Sequence, residues 1–514
     1  AQEFVMRSAL ALARSRAARG VSSHRTVAGQ AMVLGLALIL VLCIGIVLLF
    51  NTGQVVNKKV ELVNAADAAA YSVAIQQARA LNYAAYMNRA RVANEVAVAQ
   101  TISLYSWLNQ MHTTSIVIRT TLDVLSAIPY IGVVFKALAT AFKVAERILK
   151  VTRQTFQPVA QAAIIAIDKL NMMFAASVQL VIEGVSRLDS YTIAKDVLQR
   201  NSPQAQLGTI GTAVLGTQLA TAENRLLQRY SIPRTANGGS ATQRQGADRF
   251  RNVVMQSRDG FSKSRSDDFL GFLVQSGGTD MVDYNRWAAL DTMAVELPLP
   301  WPLSDIDIPV GWGGAQAVES YRNQRFLNGF GNGNGWYSDW DRRRYRPYGE
   351  AVRRNRGAAW IVDRSQDANV RFANGQHRKA FFTGYNGLRD YHDVKAGQAL
   401  QPYAENDRDR DKVGPVFTIY AETAGTSART TSGAGIGAPA GSQMELPDRM
   451  ANNKIAALSS AQVFFDRPVQ LRMFSRDDRK RETGNLFSPY WQARLVKTDA
   501  TTKAALAAAG ALMP

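Results

Sequence analysis

Cysteine and histidine are scarce in this chain: one cysteine, Cys43, and four histidines in 514 residues. That excludes an intramolecular disulfide framework and leaves no thiolate and imidazole set for a zinc site. Proline does not occur before Pro129, and Gly53 is the only glycine between Phe50 and Pro129, so little in the first quarter of the chain interrupts a helix. Acidic side chains are outnumbered, 41 against 60 basic ones, giving a net charge of +19. The excess is dispersed over the whole length, which favours polyanions in general and selects none. A catalytic set is missing too. There is no G-x-S-x-G elbow, the only thiol lies in an apolar run, and His392–Asp393 offers the right residue types for an oriented base merely as sequence neighbours. The expectation is a protein without enzymatic activity and without a cofactor. Its length is about three times that of a typical domain of ~150 residues, and 47% hydrophobic residues give ample material for a core.

What the chain does have is one long apolar run. Ala31 to Phe50 reads AMVLGLALILVLCIGIVLLF, twenty residues without a charge, of which fourteen are Val, Leu, Ile or Phe. At ~1.5 Å per residue such a helix spans the ~30 Å hydrocarbon layer. Arg7, Arg14, Arg16, Arg19 and Arg25 precede it, whereas Asn51–Asn57 carries no charge before Lys58 and Lys59. The basic bias places residues 1–28 in the cytoplasm and the bulk of the chain on the other side. No A-x-A-like cleavage site follows, and the apolar core exceeds the 7–15 residues of a signal peptide.

Beyond the span the sequence stays helical in character. Ala65, Ala66, Ala69 and Ala70 leave one side nearly free of bulk, so that another helix, from this chain or a second one, can approach closely. Val124–Phe142 is apolar enough to be weighed as a second span. Lys136, Lys143, Arg147 and Lys150 instead recur at helical spacing opposite Phe135, Leu138, Phe142 and Leu149, which describes an amphipathic helix packed on its neighbours or lying on a membrane. Further helical pattern covers Val159–Leu188 and Thr212–Tyr230. Thr235–Gln245 reads as a linker, and β-type runs follow at Ala359–Val362, Val416–Tyr420, Ala461–Phe465 and Tyr490–Leu495. The expected fold class is α+β: a transmembrane helix over 29–50, an Ala-rich helical stalk over 51–230, a linker over 231–250 and a mixed α/β head over 251–514.

Two segments carry a family resemblance. AGQAMVLGLALIL, with Gly29 and Gln30 entering the apolar helix, and ELVNAADAAAYSVA, with Asn64, Ala65, Ala66, Asp67, Ala69 and Ala70, resemble the TadE/TadG-like proteins of the bacterial tight-adherence (Flp) pilus assembly system. LNYAAYMNRARVANEVAVAQ (Leu81–Gln100) and NLFSPYWQARLV (Asn485–Val496) resemble recurrent segments of proteobacterial relatives. The resemblance implies a single-pass inner-membrane protein with its bulk in the periplasm or at the cell surface. It implies membrane lipid and other pilus-assembly proteins or pilin-like helices as partners, in a homo- or hetero-oligomer, with Asn64–Ala74 packing on similar helices. The family places an Asp where this chain has Asn51. A prepilin peptidase site is also incomplete: a cut after Gly29 would put Leu34 where pilins have Glu. An accessory role therefore fits better than that of a major pilin, with an exported filament or tip component as the alternative.

Other constellations are weaker. Asp363 and Ser365 resemble the start of a von Willebrand A metal site but Asp367 replaces the last Ser, and Asp407, Asp409 and Asp411 have calcium-loop spacing with Lys412 and Thr418 where Gly and Glu are needed. Asn328–Trp336 is Gly-rich but lacks the strand–loop–helix context of a nucleotide site. The most suggestive surface is Trp336–Arg356, in which Trp336, Trp340, Arg342, Arg343, Arg344, Tyr345 and Arg346 suit an anionic polymer, a polysaccharide or nucleic acid. That composition supports a third reading, a surface receptor for anionic polymers.

Overall fold

The computed structural model describes residues 28–234, 238–269, 271–297, 306–320, 379–395, 414–428, 430, 454–468, 473 and 482–508. Its spine is one helix, α1 (Ala28–Leu125), 98 residues long and about 150 Å at ~1.5 Å per residue. Alanine, the best helix former, recurs throughout, and no proline intervenes. The helix stops where proline first appears: Pro129 follows, and Tyr130 adopts a left-handed φ of 68°. At Gly132 a Cβ would run into the carbonyl of Ser126, so the chain reverses there only because the residue is glycine.

From Gly132 the chain returns along α1 as α2 (Gly132–Leu180), a π-helical turn (Val181–Val185) and α3 (Ser186–Asn201). The expected helices on either side of Pro158 are one element. Cross-pairs keep a constant antiparallel register: Arg119 Nε to Glu146 Oε2 at 2.8 Å, Tyr105 OH to Gln157 Oε1 at 3.1 Å, Tyr83 OH to Ser177 Oγ at 3.0 Å and Ser202 Oγ to Glu61 Oε1 at 2.7 Å. A helix α4 (Gly208–Leu226) then leads into β1 (Leu227–Tyr230).

Helices α5 (Ala241–Ser257) and α6 (Gly260–Lys263) come next. The stretch expected as a linker thus ends at Ser240, whose side chain accepts from the Gln243 N–H while the Gln243 side chain accepts from the Ser240 N–H, a capping box that starts α5. Strands β2 (Asp267–Phe269), β3 (Leu273–Asp283), β4 (Arg286–Leu297), β5 (Ile306–Ala317) and β6 (Lys379–Phe382) form a five-stranded sheet in chain order, antiparallel except for the β5–β6 pair. β7 (Tyr391–Val394) pairs with β1. β8 (Val416–Ala424), β9 (Lys454–Phe465) and β10 (Trp491–Val496) form an antiparallel sheet in the order β10–β9–β8, and α7 (Ala500–Ala508) ends the described chain. Three of the four expected β-type runs fall in β8, β9 and β10; Ala359–Val362 lies outside the described residues.

The fold is α+β, a long apolar helix running into a helical stalk that carries sheets. The sheets lie along the stalk and not beyond it. The three-stranded sheet shares a core with Leu62–Ala84 of α1, in which Ala65, Ala66, Phe417, Ile419, Ala461 and Val463 are fully buried. The five-stranded sheet packs farther along the rod, where Val98, Ala99 and Ile102 meet Phe250, Trp287, Ala315 and Phe382. Strand β5 comes so close that a Cβ at Gly313 would clash with the backbone at Ser106 and Gln110, and one at Gly311 with Thr114.

Candidate membrane anchor and polar clamp

Residues 31–50 of α1 stand apart from this packing. Its most apolar window has a mean hydropathy of 3.3, and none of that window is buried. Met32 and Leu49 are each 75% exposed. Leaving a Val, Leu, Ile or Phe side chain in water costs about 1.5–3 kcal/mol, so fourteen of them amount to roughly 20 kcal/mol or more. The cylinder needs an apolar surrounding, whether lipid or other helices.

Asn51 is 2% exposed and Val55 is packed on the first core, but Val56 and Val60 are more than half exposed, and the run of buried core residues starts only at Leu62. The junction is polar. Lys58 Nζ donates to Glu61 Oε1 at 2.6 Å, and Ser202 Oγ reaches the same oxygen; these bonds, the one from Lys58 first, hold the Glu61 carboxyl below its ordinary pKa. Partial burial lowers the Lys59 ammonium. Gly29 and Gln30 lie in the first turn of α1. Asn64 is exposed and Asp67 half-buried, while Ala65, Ala66, Ala69 and Ala70 are fully buried. Of the two partners expected for that stripe, this chain supplies one: its own α3, together with strands β8–β10, packs on it. A second helix passes the same test of length and hydropathy, Gly132–Gly184, with 22% of its window buried. It contains most of the Val124–Phe142 run, which is divided between the end of α1, the turn and the start of α2.

Farther along α1 lies a buried polar cluster. The Glu95 carboxylate accepts from Trp287 Nε1 at 3.0 Å, Tyr385 OH at 2.5 Å and Asn171 Nδ2 at 2.9 Å. One helical turn earlier, the buried Arg91 donates to the carbonyl of Arg389 and stacks over the Phe250 ring at 5.0 Å. Asp168 of α2 accepts from the Asn386 backbone and side chain, each at 2.9 Å, and from Arg389 Nη2 at 2.8 Å. Burial dominates the titration here: it raises the Glu95 carboxyl, pushes Tyr385 well up and lowers Arg91 to about 10. The arrangement ties α1, α2, β4 and the segment after β6 together.

The two weaker resemblance strips meet in space. Asn82 and Trp491, 409 positions apart, exchange two bonds of 2.9 Å, Nδ2 to the Trp491 carbonyl and the Trp491 N–H to Oδ1. Asn88 Nδ2 donates to the carbonyls of Leu486 and His392. His392 and Asp393 do not form a dyad. His392 Nε2 lies 3.5 Å from Glu183, and burial lowers its pKa; Asp393 contacts Arg249 at 2.6 Å and accepts from the Leu486 N–H at 2.8 Å.

Trp336, Trp340, Arg342, Arg343, Arg344, Tyr345 and Arg346 lie outside the described residues, as do the Gly-rich stretch, Asp363–Asp367 and Asp407–Asp411. What sequence reasoning missed is the Glu95 cluster; its parts are up to 290 positions apart. The only local signal was a run of polar residues at helical spacing, Asn88, Arg91 and Glu95, among alanine and valine.

No curated protein and no solved structure matches the chain significantly. Residues 29–78 do match the family model described as putative Flp pilus-assembly TadE/G-like. That match covers the unburied apolar helix, the junction at Asn51 and the alanine stripe, and it makes residues 29–78 similar to putative Flp pilus-assembly TadE/G-like proteins.

Proposed function

We propose that this protein is a membrane-anchored accessory of tight-adherence pilus assembly that works by holding and presenting surfaces and catalyses no reaction. Residues 31–50 sit in the inner membrane, the N-terminus stays in the cytoplasm, and the helical rod with its two sheets stands outside. The observation that supports this most is that the match to the pilus-assembly family model, residues 29–78, contains the exposed apolar cylinder that ends at Phe50. Contacts with other pilus-assembly components then fall to the apolar cylinder and the exposed faces of the rod, since the alanine stripe is already occupied.

Membrane fractionation with protease digestion of a C-terminally tagged chain tests the reading. In spheroplasts the tag is expected to be digested while the protein stays with the membrane after carbonate washing. A tag protected in the cytoplasm contradicts the orientation. Recovery of the protein in sheared pili supports the filament alternative, in which helices of pilins supply the apolar surrounding.

A further inference from the structure

The far end of the helical hairpin carries no charge. From Val124 to Phe135 the chain reads VLSAIPYIGVVF, closing α1, turning at Pro129 and Tyr130 and opening α2. Val124, Ile128, Tyr130, Ile131, Val133 and Val134 are all exposed, Tyr130 at the apex by 99% and Val133 by 78%. Single apolar residues are ordinary on a surface, but six of them on one protruding turn call for an apolar surrounding.

The backbone and the charges around the turn say which. The N–H groups of Ser126, Ala127, Ile128, Ile131 and Gly132 donate to carbonyls of the same turn and of the last turn of α1 at 2.9–3.2 Å, and the Ser126 hydroxyl donates to the Asp123 carbonyl. Pro129 has no N–H to satisfy. Acyl chains supply no hydrogen bonds, so a turn that has closed its own enters lipid at little cost, and the Tyr130 N–H is left to the water that a shallow insertion retains. Asp123 and Glu146 are the only acids between Arg119 and Lys150, and both are held in ion pairs: Arg119 reaches them at 3.1 and 2.8 Å, and Lys136 lies 3.4 Å from Asp123. Lys143, Arg147 and Lys150, all exposed, remain as a positive collar behind the apolar tip. An apolar apex bearing a tyrosine and backed by cations complements a phospholipid surface, where phosphates lie above acyl chains.

We propose that this tip dips into a second lipid surface, opposite the one that holds Ala31–Phe50. Helix α1 runs unbroken from Phe50 to Leu125, about 110 Å at ~1.5 Å per residue, so the tip lies out of reach of the anchor's own bilayer. The rod then bridges two membranes, and that part rests on the anchor proposed above. Insertion by about 5–10 Å buries the apex and brings Lys136, about 6 Å along α2 from Gly132, level with the phosphates.

The test uses the full-length protein with Cys43→Ser as background. It carries an environment-sensitive fluorophore on Val133→Cys at the tip or on Gln154→Cys along the stem, and it is reconstituted into vesicles of phosphatidylethanolamine and phosphatidylglycerol. A second population of the same lipids, with a nitroxide on the acyl chains, is then added. The expected result is a blue shift and quenching at Val133→Cys and neither at Gln154→Cys. Tyr130→Asp together with Ile131→Asp is expected to return the signal to the vesicle-free level while the melting temperature stays unchanged, since both side chains are exposed and aspartate tolerates the left-handed φ at Tyr130. Absence of quenching at Val133→Cys, equal quenching at Gln154→Cys, or quenching that survives both aspartates would each overturn the proposal. So would a blue shift without quenching, which marks a tip covered by protein, or quenching only when the nitroxide is moved to the anchor's own vesicles. If carbonate strips the protein from the first vesicles while quenching at Val133→Cys persists, the anchor falls and the tip stands.

Discussion

Two parts of the same helix, Ala31–Phe50 and Leu62–Ala84, are both apolar and meet opposite fates. The first carries mostly Leu, Val and Ile and touches nothing else in the chain's core; the second carries alanine at the contact positions and is sealed under a sheet and α3. Side-chain size separates them. Alanine lets a sheet and a helix come close enough for dense packing, whereas a cylinder of leucines is better served by lipid chains, which adapt to any shape.

Breaking that contrast at its anchor end should give the largest effect. Leu40→Arg places a charge at the middle of the span, costing about 2.5–3.5 kcal/mol on the insertion scale where Leu is favourable. The protein should shift from the carbonate-resistant to the soluble or degraded fraction, with the melting temperature of its packed body unchanged. Ala69→Leu does the reverse. It forces extra volume into a fully buried site and should lower stability by about 1–3 kcal/mol in chemical denaturation while membrane retention stays intact.

How much of this was legible follows from the range of the signals. The span and the alanine stripe are local patterns and could be read directly, and so could β8–β10, whose residues are rich in Val, Ile, Phe and Tyr. The five-stranded sheet could not. LVQSGGTDMVD and IDIPVGWGGAQA contain Gly, Asp and Pro, which argue against strands in isolation. Their reason is tertiary, because Gly311 and Gly313 are where β5 lies on α1. The start of α5 was readable in principle from Ser240 and Gln243, but the glycines before it look like a linker. The Glu95 cluster joins residues from four distant segments, and nothing in a single sequence brings Trp287 and Tyr385 to one carboxylate.

That cluster sharpens the comparison between buried and unburied parts of α1. Burial raises the folded-state pKa of Glu95, so the folded protein binds a proton more readily than the unfolded chain does. Its contribution is therefore fully present below the ordinary carboxylate pKa and is lost as pH rises through the raised value. Glu95→Gln should flatten this fall in stability above the ordinary carboxylate range, as read from denaturation midpoints at a series of pH values, and should leave membrane retention alone. The smallest effect is expected at the helix–helix seam. Tyr83→Phe removes one bond to Ser177, worth about 0.5–1.5 kcal/mol, without altering the packing around the ring.

Cys43 sits near the centre of the apolar cylinder, and it is exposed in the isolated chain. Its reactivity toward a membrane-impermeant maleimide in carbonate-washed membranes is the most direct measure of where that cylinder lies. The account predicts no labelling until detergent or denaturant is added. Rapid labelling in intact membranes would mean that water surrounds the helix, and the anchor would have to be given up.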